Sequence, residues 1–176
     1  MSAVERNPLE LTVEITNFCE EVCAFCSSDA TPEGKHLSFE EIKNFVEKYT
    51  NIDVINISGG EPLSHPDFYK ILKYCKTRAR IVWVYSNAIE NLAYNTHVLK
   101  EINIRANVCL TPSTEVYIPK GSFQVNLLKF VSQGRGKNIE EVKMHCSGNL
   151  LGKVCETCNN PTLKSDGNIA LSPCKK

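Results

Sequence analysis

The stretch Thr16–Ser28, TNFCEEVCAFCSS, places Cys19, Cys23 and Cys26 within eight residues. Three thiols cannot pair off into disulfides without one left over. Spacers of three and then two residues let a loop wrap a compact object and present three thiolates to it. Cysteine runs on loops serve both zinc and iron–sulfur sites. The residues alone therefore leave three readings open: an Fe–S cluster, a zinc ion with a remote fourth ligand, and a chance grouping. A 4Fe–4S cubane normally takes four thiolates, so three would leave one iron open to a further ligand.

Upstream of this loop, LELTVEIT (9–16) alternates apolar and polar residues and predicts a strand. Downstream, LSFEEIKNFVEKYT predicts a helix opened by the capping box Ser38-x-x-Glu41, with Phe39, Ile42, Phe45 and Val46 on its apolar face. IDVINIS (52–58) predicts a strand, HPDFYKILKYCK (65–76) a helix and ARIVWVYS (79–86) a buried parallel strand. NLAYNTHVLKEI predicts a third helix, IRANVCLT (104–111) a fourth strand, FQVNLLKFVSQ (123–133) a helix before the loop GRGKN, and IEEVKMHC (139–146) a fifth strand. Strands alternating with helices give an α/β fold with a parallel sheet and right-handed crossovers.

The chemistry-bearing residues fall at the carboxyl ends of these strands, where such folds bind ligands. The cysteine loop follows the first strand. Gly59-Gly60-Glu61-Pro62 follows the second, with two glycines permitting close backbone approach and Glu61 able to accept hydrogen bonds from an ammonium group. Alone, that tetrapeptide reads as a tight turn with a capping acid. Ser86-Asn87 ends the third strand. Tyr85, Thr111 and Ser113 share the edge as candidates, and His65, before Pro66, reads as a local cap.

A chain of 176 residues with 42% apolar content is bounded to one domain with a small appendage. No apolar run is long enough for a membrane span, and the N-terminal MSAVERNPLE lacks the apolar core of a secretory signal, which favours the cytoplasm. Zero net charge removes any global nucleic-acid signature. From Lys120 onward there are nine Lys/Arg against four Asp/Glu, a bias that suits an anionic ligand or simply a solvated basic face. Nine cysteines without a secretion signal read as metal ligands before disulfides. Cys75 and Cys109, in apolar patterns, read as small buried hydrophobes.

A second cluster closes the chain. Cys155 and Cys158 form a CxxC, Cys174 follows, and TLKSDGNIAL between them predicts a hairpin turning at Asp166-Gly167. With Cys146 as fourth ligand this reads as a zinc ribbon.

Taken together, the Cys19-x-x-x-Cys23-x-Phe25-Cys26 loop and the GGEP segment resemble the radical S-adenosylmethionine (radical SAM) superfamily over roughly residues 10–146. The resemblance implies an abbreviated, partial parallel (β/α) TIM-like barrel. It also implies a 4Fe–4S cluster on Cys19, Cys23 and Cys26 whose free iron chelates the amino and carboxylate groups of SAM. Phe25 then packs near the adenine, Gly59, Gly60, Glu61 and Pro62 bind the methionyl amino group, and Ser86 and Asn87 stand at the ribose-contacting strand end. The C-terminal pattern resembles the twitch or SPASM extensions of that superfamily. Its motif is closest to the molybdenum-cofactor GTP cyclase family, at about half that family's length. On this basis residues 1–145 are the core, and 146–176 an auxiliary segment whose Cys146, Cys155, Cys158 and Cys174 hold a second 4Fe–4S cluster.

The activity so implied is reductive cleavage of SAM to a 5′-deoxyadenosyl radical that takes hydrogen from a substrate. The substrate is a peptide, as in maturases, or alternatively a nucleotide or other small anion. A non-catalytic electron-transfer or metal-binding module is the remaining alternative. Ferredoxin or flavodoxin as electron donor, oxygen sensitivity, and a partner protein over the open barrel side belong to the same expectation.

Overall fold

The computed structural model describes residues 8–24, 26, 28–86, 103–108, 124–127, 134–135 and 159–173, with backbone alone for 103–108 and 124–127. Among these, one seven-stranded sheet runs in the order β5-β4-β3-β2-β1-β6-β7. Its strands are β1 (Glu10–Thr16), β2 (Ile52–Gly59), β3 (Ala79–Ser86), β4 (Asn103–Val108), β5 (Gln124–Leu127), β6 (Thr162–Leu163) and β7 (Ile169–Ala170). Every pairing is parallel except the β6–β7 hairpin.

Helix α1 (Phe39–Val46) starts at the expected capping box. Ser38 Oγ accepts from the Glu41 amide, and the Glu41 carboxylate accepts from the Ser38 amide at 2.7 Å. Helix α2 (Phe68–Arg78) follows a 3₁₀ turn at Pro62–Ser64. Side chains alternate across a strand, so Leu11, Val13 and Ile15 of β1 share one face with Ile55 and Ile57 of β2 and Val82 and Val84 of β3. These join Ile42, Phe45 and Val46 of α1 and Phe68, Ile71, Leu72 and Cys75 of α2 in one buried cluster. Full burial of each such aliphatic or aromatic side chain contributes roughly 1.5–3 kcal/mol. Cys75 is fully buried as expected, and burial pushes its thiol up to about 12.

The opposite face of the sheet is polar but closed to water. Glu10, Thr12 and Thr16 of β1 are each at most 4% exposed, as is Asn56 of β2. Asn56 Nδ2 donates to Glu10 Oε1 at 2.6 Å, and Thr12 Oγ1 donates to Asn160 Oδ1 at 3.1 Å. The alternation in LELTVEIT thus separates an apolar packing face from a buried hydrogen-bonded one.

Two expectations change. Residues 124–127, expected to be helical, form β5, because Gln124 to Leu127 pair in parallel register with Arg105 to Val108 of β4. Phe123, Val125 and Leu127 satisfy a period of two as well as the helical period, and the available sheet edge decides between them. The third strand is not buried throughout, since Arg80 and Ile81 at its start are exposed. The Asp166-Gly167 hairpin forms as expected, with Gly167 at φ 85°. It extends the core sheet, Thr12 and Val13 of β1 pairing with Thr162 and Leu163 of β6. Lys164 Nζ ties it down, 2.8 Å from Glu14 Oε1 and 2.7 Å from the Pro173 carbonyl. The expected helix at 91–102 and strand at 139–146 lie outside the described residues.

Candidate active site

The cysteine loop leaves β1 at a bulge, where Glu14 faces Ser58 and Thr16, two residues on, already faces Gly59. Bulges re-aim side chains at strand ends, often beside functional sites. Thr16 Oγ1 then accepts from the Phe18 amide at 2.9 Å and lies 2.8 Å from His36 Nδ1. The loop closes on itself through Cys19 N–Thr31 O at 3.0 Å and Thr31 N–Asn17 O at 3.1 Å.

The end of β2 is stitched onto this exit. The Gly60 amide donates to the Thr16 carbonyl at 2.8 Å, and the Glu61 amide donates to the Phe18 carbonyl at 2.9 Å. Both glycines are required by that proximity. A Cβ on Gly59, at φ 136°, would lie 2.3 Å from the Thr16 carbonyl oxygen, and one on Gly60 would lie 2.2 Å from that of Phe18. The close approach that two glycines permit is therefore made to the residues leading into Cys19.

Glu61 is 8% exposed and heads the 3₁₀ turn, its Oε1 accepting from the Leu63 amide at 3.0 Å. Ser86, at the end of β3 and 1% exposed, turns its hydroxyl to the two Glu61 oxygens at 2.9 and 3.0 Å. The capping reading of Glu61 and its position beside the cysteine loop both hold.

Cys19, Cys23 and Cys26 are half-buried free thiols. Burial pushes the Cys19 thiol up from its ordinary value, with Glu61 and the two other cysteines adding to the rise and a backbone hydrogen bond from Glu21 opposing it. Burial also raises Cys23, helped by Cys26 and Glu21, while the Arg135 guanidinium pulls it down. Among the described residues no three His, Cys, Asp or Glu side chains converge on a single-ion site. Cys19 and Cys23 thus resist ionising in the absence of further cations. A bound metal group supplies those cations and displaces the protons. Three half-buried thiols on one loop are a donor set that fits a thiolate-held iron–sulfur cluster.

The family model of the radical SAM superfamily matches residues 13–116, from within β1 through the cysteine loop, the GGEP segment and β3. The chain belongs to the radical SAM superfamily of enzymes. Membership in the radical SAM superfamily implies a 4Fe–4S cluster and SAM. Curated relatives match part of the chain. The AdoMet-dependent heme synthase of Methanosarcina barkeri is 33% identical over 79 residues, covering 42% of this chain and 22% of the relative. The mycofactocin maturase MftC of Mycobacterium tuberculosis is 34% identical over 70 residues, covering 38% and 18%. The PqqA peptide cyclase of Bradyrhizobium diazoefficiens is 33% identical over 86 residues, covering 47% and 22%. The matched stretch is thus about a fifth of each relative's length.

Of the radical SAM site residues expected from sequence, Cys19, Cys23, Cys26, Gly59, Gly60, Glu61, Pro62 and Ser86 gather at the carboxyl ends of β1, β2 and β3. Phe25, Asn87, Cys146, Cys155, Cys158 and Cys174 lie outside the described residues, as do Cys109, Thr111 and Ser113. His65 caps locally, its Nδ1 accepting from the Asp67 amide at 3.0 Å, and its Nε2 also reaches the Leu37 carbonyl at 2.8 Å. His36 stacks edge-on against His65, ring centroids 4.9 Å apart. No helix among the described residues is long and apolar enough to cross a membrane.

Sequence reasoning missed Arg135. Its Nε donates to the Cys23 carbonyl at 2.9 Å, its Nη2 to the Ala30 carbonyl at 2.9 Å, and its amide to the Cys26 carbonyl at 3.0 Å. The signal available was an arginine between two glycines in GRGKN, with Gly134 at φ 55°.

Proposed function

We propose that this protein cleaves SAM reductively and directs the resulting radical at a peptide, as a maturase. The observation that carries the reading is the pair of hydrogen bonds from Gly60 and Glu61 to the Thr16 and Phe18 carbonyls, which holds the GGEP segment against the residues leading into Cys19, close enough for the Glu61 carboxylate to act on that thiol. Cys19, Cys23 and Cys26 would hold the cluster, and their three thiolates would leave it a position for SAM. Cluster and SAM together supply the chemistry, methionine and a 5′-deoxyadenosyl radical that takes a hydrogen atom from the substrate.

The chain's own residues bind, orient and exclude water. Glu61, held by Ser86 and Leu63, accepts hydrogen bonds from the methionyl ammonium group, with Gly59, Gly60 and Pro62 shaping that subsite. Phe25 packs near the adenine, and Ser86 with Asn87 stands at the ribose.

The parallel β1-to-β5 order supports an abbreviated barrel as the core over 1–145. Residues 146–176 form a twitch- or SPASM-like segment whose Cys146, Cys155, Cys158 and Cys174 hold a second 4Fe–4S cluster. Such an enzyme draws electrons from ferredoxin or flavodoxin, is oxygen-sensitive, and works in a reducing compartment such as the cytoplasm. A partner protein covers the open barrel side.

The peptide substrate is supported by two relatives named as a maturase and a peptide cyclase. A nucleotide or small anion is the second reading, favoured by the nine Lys/Arg against four Asp/Glu from Lys120 onward. The anaerobically reconstituted chain should convert SAM and dithionite to methionine and 5′-deoxyadenosine. Cys23→Ala should abolish this, and Glu61→Ala should weaken SAM binding with iron content intact. Cleavage retained by Cys23→Ala overturns the ligand assignment, and a wild type with cluster but no cleavage points to a non-catalytic module. Iron of about eight per chain, against about four after Cys19/Cys23/Cys26→Ala, supports the second cluster.

A further inference from the structure

The cysteine loop is tied to the rest of the fold from an unexpected direction. Besides the two closing bonds at Cys19 and Thr31, the described residues of the loop show the backbone bonds Cys26 N–Cys23 O at 3.2 Å and Gly34 N–Thr31 O at 3.0 Å, and the Ser28 hydroxyl donates to the Gly59 carbonyl at 3.4 Å. Arg135, more than a hundred positions along the chain, then engages three loop carbonyls at once. They belong to Cys23, Cys26 and Ala30, at 2.9–3.0 Å. Two of these carbonyls belong to the cysteines themselves. The planar guanidinium suits this task because its donors leave in fixed, divergent directions, which a lysine ammonium cannot reproduce. Gly134, in the left-handed region, turns the backbone so that the Arg135 amide also faces the loop.

We propose that Arg135 is a positioning residue for the cluster: it fixes the spacing of Cys23 and Cys26 and sets a permanent positive charge beside the thiolates. A thiolate-bound cubane is net negative and becomes more so on reduction. A fixed cation therefore stabilises the reduced form more than the oxidised one and raises the potential at which the electron enters. Hydrogen bonding and local charge are known levers on cluster potential. The inference rests on Cys19, Cys23 and Cys26 being the ligands.

The test uses the full chain, reconstituted anaerobically, as wild type, Arg135→Gln and Arg135→Lys, with Cys19/Cys23/Cys26→Ala as blank. Two quantities are read on the cluster whose electron-spin-resonance signal changes when SAM is added: its midpoint potential and its rate of iron loss to a chelator. Arg135→Gln should lower the potential and speed iron loss by about tenfold or more. Arg135→Lys keeps the charge and loses the fork, so it should hold the potential near wild type while iron loss still accelerates. Gln at the wild-type potential overturns the proposal, as does Lys falling as far as Gln. Should the Gln chain fail to fold, the Lys chain decides alone: wild-type iron loss overturns the proposal, and faster loss at an unchanged potential supports it. A blank that retains as much iron as wild type overturns the ligand assignment, and the proposal with it. A blank that loses iron while both Arg135 variants match wild type overturns the proposal alone.

Discussion

The Ser86 hydroxyl lies 2.9 and 3.0 Å from the two carboxylate oxygens of Glu61, and both residues are buried. This contact joins the end of β3 to the GGEP segment that follows β2. It makes one residue of the proposed SAM site the orienting partner of another.

Ser86→Ala therefore tests two roles. Loss of a hydrogen bond to a buried charged group should cost about 1.5–3 kcal/mol, read as a lower urea midpoint of the apo chain. If Ser86 acts by orienting Glu61, affinity should fall for methionine as well as for SAM. A loss confined to SAM assigns Ser86 to the nucleoside instead.

Gly60→Ala drives a Cβ against the Phe18 carbonyl and so separates the GGEP segment from the loop exit. Backbone on the other side cannot give way as a flexible side chain does, so destabilisation of about 1–3 kcal/mol or more is expected. Reconstituted iron per chain should fall with it, although no thiol is altered. Normal iron content would show that the stitch is dispensable for cluster assembly.

Lys164→Met removes the cation between Glu14 and the Pro173 carbonyl. The Lys164 and Glu14 side chains are only 19% and 13% exposed, so the pair is worth more than a surface ion pair. Breaking it should cost on the order of 1–3 kcal/mol. Amide exchange should quicken in residues 162–170 and stay unchanged across β2. Uniform protection in the variant would mean that the pairing with β1 suffices to hold the hairpin.

His36 gives the chain a pH dependence. Burial, and then the neighbouring His65, hold its imidazole below the ordinary 6.5. The unfolded chain thus binds more protons than the folded one between the folded-state value and 6.5. Stability is complete above 6.5 and is lost as pH falls through that window. Urea midpoints measured from pH 7.5 down to 5 should decline, and His36→Asn should flatten the decline; an equal slope in the variant assigns the effect elsewhere.

Much of the fold was legible because its signals are local. The Ser38–Glu41 box spans a single turn, and the alternation of Leu11, Val13 and Ile15 needs only the pleat of one strand. The Asp166-Gly167 turn needs only a glycine that tolerates a positive φ. The cysteine loop and GGEP were readable as chemistry because their residue types are uncommon in that arrangement. The same local reading predicts a helix across 123–133, where 124–127 form a strand, since Phe123, Val125, Leu127, Leu128 and Phe130 fit both periods and nothing nearby breaks the tie.

The residues in their order were enough for the alternation of strands and helices, the loop of three thiols, and the resemblance to a superfamily that uses them. Long-range packing was needed to bring Ser86 to Glu61, Glu14 to Lys164, and Arg135 to the carbonyls of Cys23 and Cys26. A periodicity records which face of an element is apolar, but it carries no information about which distant polar group completes a hydrogen bond. That choice follows from sheet order and from the few positions where a bulge or a glycine lets two backbones approach.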